Sequence, residues 1–239
     1  MELPLYQVDA FANGPFSGNP AAICPLTAWL DDDIMQSIAI ENNLSETAFL
    51  VGGHGAYDLR WFTPAHEVDL CGHATLASAY TVFNQLEPEC RNVCFSTRSG
   101  DLFVTRDGDL LTMNFPVIDN QPIPTPDGLA AAIGADISQT LTSQQDMIAV
   151  VGDAETVRTL DPDYDFIAAQ VKERGLIVTA PGDDCDFVSR FFAPAAGIKE
   201  DPVTGSAHCQ LVPYWAKVLG KETLLARQLS ARGGTVHCG

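Results

Sequence analysis

Apolar residues along this chain recur with two periods, and the same succession of periods is met twice. From Asp31 to Asn42 the positions Ile34, Met35, Ile38 and Ala39 fall on one face at helical spacing, behind an aspartate of the kind that opens helices. Thr47-Ala-Phe-Leu-Val51 is a short apolar run ended by glycine, which predicts a strand, and a second strand carries Arg60-Trp-Phe-Thr-Pro-Ala65. His73 to Asn84 is apolar nearly all round, so this helix is expected to be enclosed within a lobe.

The second half repeats the plan. Asp161 to Lys172 predicts a helix with Phe166, Ala169 and Val171 inward, Leu176-Ile-Val-Thr-Ala180 predicts a strand, and Arg190-Phe-Phe-Ala-Pro-Ala195 follows. Ser206 to Leu219 reads as the second enclosed helix, with Pro213 expected to kink it. A constant offset of 130 residues, with no gap, lays Leu30-Asp-Asp-Asp33 on Leu160-Asp-Pro-Asp163 and Arg60-Trp-Phe on Arg190-Phe-Phe. Between the copies lies a predicted meander of Val93 to Thr97, Leu102 to Thr105 and Leu110 to Phe115, turned at Ser99-Gly-Asp101 and Asp107-Gly-Asp109. The four prolines of Pro116 to Pro126 mark the expected linker. The fold class expected is α+β: two pseudo-symmetric lobes, residues 1–117 and 118–239, each a mixed sheet or barrel wrapped around a central buried helix. A ligand is expected where such lobes face each other.

Composition narrows the function. Apolar residues make up 46% of the 239 and charged residues 18%, the profile of a globular chain. The formal charge of -18 argues against a nucleic-acid partner, which needs a basic surface. Met1-Glu-Leu-Pro-Leu-Tyr-Gln-Val lacks a basic stretch followed by an apolar one, and no apolar run reaches the length of a membrane span, so the expected location is cytoplasmic. The seven cysteines form neither CxxC pairs nor zinc spacing and are expected to be mostly buried free thiols.

Structural residues can repeat, whereas a catalytic acid is needed once, so polar asymmetries between the copies are informative. At the offset of 130, Glu46 answers Leu176. A carboxylate at the edge of a buried strand is costly unless hydrogen-bonded, and burial moves such groups toward the range useful for proton transfer. The other reading is that Glu46 emerges into solvent at the strand start. Cys71-Gly-His-Ala74 answers Thr204-Gly-Ser-Ala207 after a three-residue shift, and the two Gly-led helix starts, with their free N–H groups, suit a carboxylate ligand. His73 either orients a moving proton or is a structural histidine. Asp201 is either functional or an acid favoured by the adjacent helix dipole. No metal site is expected from the spacing of His54, His66, His208 and His237.

Ser17-Gly-Asn-Pro-Ala-Ala22, Asn43-Leu-Ser-Glu-Thr-Ala-Phe49, Arg60-Trp-Phe-Thr-Pro64, Asp69-Leu-Cys-Gly-His-Ala-Thr75 and Glu200-Asp-Pro-Val-Thr-Gly-Ser-Ala207, in that order, resemble the PhzF-like phenazine-biosynthesis isomerases. The resemblance implies the diaminopimelate-epimerase fold and a catalytic set of Glu46, His73 and Asp201. Gly72, Gly205 and Ser206 would supply donors to the substrate, and Ser45 a further contact. It also implies a cofactor-independent proton shift on a small, cyclic carboxylate, and a homodimer, which base rates for soluble enzymes favour as well. Family members usually continue for a few strands past Gly233-Gly-Thr-Val-His237, whereas this sequence stops at Gly239: either it is truncated or the closing strands are missing, and in the second case an unprotected strand edge is expected in the second lobe.

Epimerases of this fold use two opposed thiols, one from each helix start. Here Cys71 holds the first place and Thr204 the second, and a threonine hydroxyl is too weak an acid to replace a thiolate at neutral pH. The single-acid isomerase is thus the leading expectation. A Cys71-dependent racemase or epimerase, and a non-catalytic small-molecule binder of the same fold, are the alternatives. No nucleotide-binding glycine motif or metal-ligand cluster stands out, so no cofactor is expected.

Overall fold

The computed structural model describes residues 2–239. Its contacts divide the chain into two units: one holds the chain up to Ala10 with Asn19–Phe115, the other Phe11–Gly18 with Pro116–Gly239.

The first unit contains β1 (Tyr6–Ala10), β2 (Asn19–Leu26), α1 (Asp32–Asn42), β3 (Glu46–Gly53), β4 (Ala56–Phe62) and β5 (Glu67–Val68). Next come α2 (Gly72–Thr81), a π-helical turn over Val82–Leu86, β6 (Asn92–Thr97), β7 (Gly100–Asp107) and β8 (Leu110–Met113). The strands pair in the order β1-β2-β3-β4-β6-β7-β8, with β5 added beside β4. Strands β2 and β3 are parallel, and α1 makes the crossover that parallel pairing demands. Met35 and Ala39 of α1 pack on Cys24, Leu26, Phe49 and Phe62, while Ile34 is exposed. The helix ends on Asn43 at φ 49°, a left-handed position that asparagine tolerates better than most residues, and this turn delivers Ser45 and Glu46 to the start of β3.

The other face of the sheet curls around α2, which touches β1, β2, β3 and β8. Its small residues Ala74, Ala77 and Ala79 fit this enclosed place beside Leu50, Trp61 and Phe95. Three of its hydroxyls would be stranded there. Each instead donates one turn back: Thr75 to Cys71 O (2.6 Å), Ser78 to Ala74 O (2.7 Å) and Thr81 to Ala77 O (3.0 Å).

The second unit holds β9 (Gln121–Ile123), α3 (Leu129–Ile133), β10 (Gln139–Thr142), β11 (Asp146–Val150), α4 (Ala154–Thr159), α5 (Tyr164–Gln170) and β12 (Gly175–Pro181). It continues with β13 (Phe187–Ala193), a 3-10 turn over Pro194–Ala196, β14 (Ile198–Asp201), α6 (Gly205–Leu219), β15 (Leu224–Gln228) and β16 (Gly234–Cys238). The order β16-β15-β13-β12-β11-β10-β9, with β14 on β13, reproduces six strands of the first unit's path. The copies differ at the ends: β8 extends one sheet beyond β7, and β9 extends the other beyond β10. Ala207, Leu211 and Trp215 of α6 pack against Ile148, Ile177, Phe187 and Ala226, the counterpart of the α2 core.

Arginine in the repeated Arg-x-Phe signature is structural in both units. Arg60 forks onto Glu67 (2.7 and 2.8 Å) with its guanidinium 5.2 Å from the Phe62 ring; Arg190 forks onto Glu200 (2.6 and 2.9 Å), 5.0 Å from Phe192.

Several sequence expectations shift. The helix expected over 161–172 is confined to α5, because Asp161 precedes a proline and Asp163 caps the start by accepting from Phe166 N–H (3.0 Å). It buries Ile167, and Ala169 is exposed. Residues 116–126 are no free linker, since Gln121–Ile123 join the second sheet. Pro213 does not end α6. It cannot donate to Cys209 O, and Ile118 N–H takes that carbonyl instead at 3.1 Å. All seven cysteines are free, but only Cys24 and Cys71 are buried.

Candidate active site

Glu46 opens β3 and His73 lies in the first turn of α2, so the two elements that meet in the first unit's core bring an acid and an imidazole together. His73 Nε2 and Glu46 Oε2 stand 3.1 Å apart. The pair is not aligned as a hydrogen bond, and both atoms are buried without any other protein partner among the described residues. Buried polar atoms left in this state cost free energy, and they are the atoms a substrate could satisfy. Glu46 does not emerge into solvent: its side chain is 14% exposed.

Behind the pair, His73 Nδ1 has two neighbours, Cys71 Sγ at 3.5 Å and Asn19 Nδ2 at 3.4 Å. An unprotonated Nδ1 accepts from the amide, and a protonated one donates to the sulfur. Burial works against a charged imidazolium, but the Cys71 sulfur and the Glu46 carboxylate on its two sides outweigh it and hold the His73 pKa well above the ordinary value. Burial, reinforced by Glu46, pushes the Cys71 thiol up. Ser45 Oγ donates to Asn19 Oδ1 over 3.4 Å, and Gly72 opens α2 with Phe115 3.3 Å from where a Cβ would lie.

Glu46, Cys71 and His73 each offer one ligand atom within 4.8 Å of the others, the group of that kind among the described residues.

The remaining predicted residues, Asp201, Gly205 and Ser206, belong to the second unit. Asp201 closes β14, where its carboxylate accepts from the Thr204 hydroxyl at the head of α6. Gln228 braces this turn: its Oε1 accepts from Thr204 N–H (2.8 Å) and its Nε2 donates to Asp201 O (2.7 Å). His208 is buried one turn into α6 with Nδ1 on Thr204 O (2.8 Å), and burial lowers its pKa.

The strand register corrects one sequence argument. Thr47 lies opposite Phe62, whereas Leu176 lies opposite Phe192. Beside them, Glu46 pairs with Ala21 and Gly175 with Asp146 across the parallel ladders. The counterpart of Glu46 is therefore Gly175, and Leu176 answers Thr47, on the sheet face away from the central helix. The second copy carries one extra residue between its two strands. Asn19 and Gln228 were not singled out as functional in the sequence. Asn19 had a signal, since it stands inside the Ser17-Gly-Asn-Pro motif, while Gln228 had none.

A pair of curled sheets of one topology, each closed over a helix, is the epimerase-like duplicated fold, and in the first unit it carries an acid and an imidazole at the helix start. The chain belongs to the phenazine biosynthesis-like family, PhzC-PhzF, whose sequence signature matches residues 8–237. It is 54% identical to a Pseudomonas aeruginosa protein named an uncharacterized isomerase, over 100% of this chain and 91% of that one. A crystal structure of a PhzF family protein from Enterococcus faecalis is similar at TM-score 0.96 and 48% identity, covering 100% of this chain and 91% of the other. A predicted epimerase from Pseudomonas aeruginosa, at 21% identity and TM-score 0.73 over 99% and 91% of the two chains, shares the fold.

Proposed function

We propose that the protein is a cofactor-independent isomerase that moves a proton between two carbons of a small, cyclic carboxylate, with Glu46 as the acid/base. The observation that carries this reading is the buried Glu46 Oε2–His73 Nε2 pair at 3.1 Å, two proton-handling atoms without hydrogen-bond partners among the described residues. Glu46 as carboxylate takes the proton from a carbon next to unsaturation. The electron pair left behind delocalises into the double bond, and Glu46 as carboxylic acid returns the proton at the far end of the same system. His73, with its raised pKa, donates to the substrate or to the moving proton. Ser45 and the leading N–H groups at Gly72 hold the carboxylate. The enzyme acts as a cytoplasmic homodimer in this reading; among the described residues no helix is long and apolar enough to cross a membrane.

Turnover of candidate cyclic carboxylates in deuterium oxide tests the proposal. The product should carry deuterium at the newly saturated carbon, to the extent that the Glu46 acid exchanges with solvent before it returns its proton, and at no other carbon. Deuterium at a stereocentre with inversion, or loss of activity on metal chelation, would count against it.

A second reading has its own observation: Cys71 Sγ lies 3.5 Å from His73 Nδ1, so a thiol-based racemase has one of its two thiols in place. Inversion at a stereocentre, lost in Cys71→Ala and kept in Glu46→Gln, would favour it.

A further inference from the structure

We propose that Arg174, together with Ser206, forms a carboxylate-binding site in the second unit. The corrected register carries the argument. With Gly175 answering Glu46, Arg174 answers Ser45, and the matching helix starts make Ser206 the counterpart of His73. Ser45 and His73, two of the residues predicted to meet the substrate in the first unit, thus have Arg174 and Ser206 in their places in the second, where Arg174 Nη2 lies 3.0 Å from Ser206 Oγ. The second copy has a cationic donor pair at these two positions.

The guanidinium is held for this task. Asp146 is fully buried, and Arg174 reaches it with Nε (3.0 Å) and Nη2 (2.6 Å), while Gln210 Nε2 donates to the same carboxylate at 2.6 Å. Three charge-assisted bonds satisfy the acid and fix the plane of the arginine fork. The Phe191 ring, 5.3 Å from the guanidinium carbon, covers one face, and a Cβ on Gly175 would lie 2.6 Å from that ring, so this neighbour must be glycine. Neutralising Asp146 uses only one side of the fork. The side chain stays 42% exposed, and Nη1 has no protein partner among the described residues. Ser206 accepts from Nη2, which leaves its own hydroxyl hydrogen to donate outward. Two N–H groups and an O–H around one fixed positive charge match a carboxylate, which accepts such donors in a plane. That this carboxylate is the substrate's rests on the isomerase reading; the binding itself does not.

Benzoate, with uncharged benzamide as control, tests the site by NMR on protein carrying labelled arginine, with Arg174 assigned through its backbone. Benzoate should shift the Arg174 side-chain signals saturably in the parental protein and in Glu46→Gln alike, and benzamide should not. Arg174→Lys keeps a cation beside Asp146 but loses the fork, and Ser206→Ala leaves the Asp146 pair intact. Each should weaken benzoate binding, the lysine variant about tenfold or more, the equivalent of losing one charged hydrogen bond. No saturable shift of Arg174, an equal response to benzamide, or unchanged affinity in both variants would overturn the proposal. Loss of isomerase activity in Glu46→Gln is read separately, so either claim can fail alone.

Discussion

Cys71 Sγ lies 3.5 Å from His73 Nδ1, on the side of the imidazole opposite Glu46. The three side chains form one electrostatic unit in which each group sets the protonation of the next. Burial and then Glu46 raise the Cys71 pKa, while His73 lowers it. Removing the carboxylate with Glu46→Gln should therefore move the Cys71 titration to lower pH, and His73→Gln should move it to higher pH. Chemical shifts of labelled Cys71 Cβ across pH read both. A Cys71 thiolate already formed at neutral pH in the parental protein would contradict this arrangement and revive the thiol mechanism.

Two buried histidines should tilt the stability curve in opposite directions. His73 has a folded pKa raised well above 6.5, so its contribution is fully present below about 6.5 and is lost as pH rises through the folded value. His208 has a lowered folded pKa, so its contribution is present above about 6.5 and fades as pH falls through the folded value. Urea unfolding from pH 5 to 9 should show the alkaline decline softened in His73→Gln and the acid decline softened in His208→Gln. Identical pH profiles for the parent and both variants would be incompatible with these shifts.

The contact that replaces the missing Pro213 donor can be tested by a double-mutant cycle. Ile118→Pro removes the N–H that serves Cys209 O and should cost about 1–3 kcal/mol, the range for leaving one buried backbone acceptor unpaired. Pro213→Ala restores an intrahelical donor to the same carbonyl, so the double variant should recover part of that loss. Strict additivity in denaturant melts would mean that the two segments do not share this carbonyl.

Both duplicated helices and their glycine starts were legible because each rests on local pattern, whereas Glu46 and His73 were joined as one set only by the family resemblance. Helix α2 is apolar nearly all round, and Glu46 and His73 sit at the starts of elements that must share one core. Register was not legible. Side chains alternate faces along a strand, so the single extra residue in the second copy moves Leu176 to the far face and puts Gly175 in the place of Glu46. Strand β2 was not predicted, and its Pro20 and Pro25 are residues that weaken a strand pattern. Pro25 is tolerated because it lies past Ile23, the last residue of β2 paired with β1. Arg174 carried no signal in the sequence, since its buried partner Asp146 is 28 residues away.

The central claim is that Glu46 transfers the proton. The amide of Glu46→Gln is nearly isosteric with the acid, so the fold and the 3.1 Å approach to His73 should persist while the acid/base is gone. Glu46→Asp should also lose heavily, because withdrawing the carboxylate by about 1 Å spoils its alignment with the carbon. The most direct measurement is the rate of solvent deuterium incorporation into a turned-over cyclic carboxylate, parental protein against Glu46→Gln, with folding checked by circular dichroism. A fall of about 10²–10⁴-fold is expected, the usual span for a positioned general acid/base; exchange at the parental rate would contradict the mechanism while leaving the fold untouched.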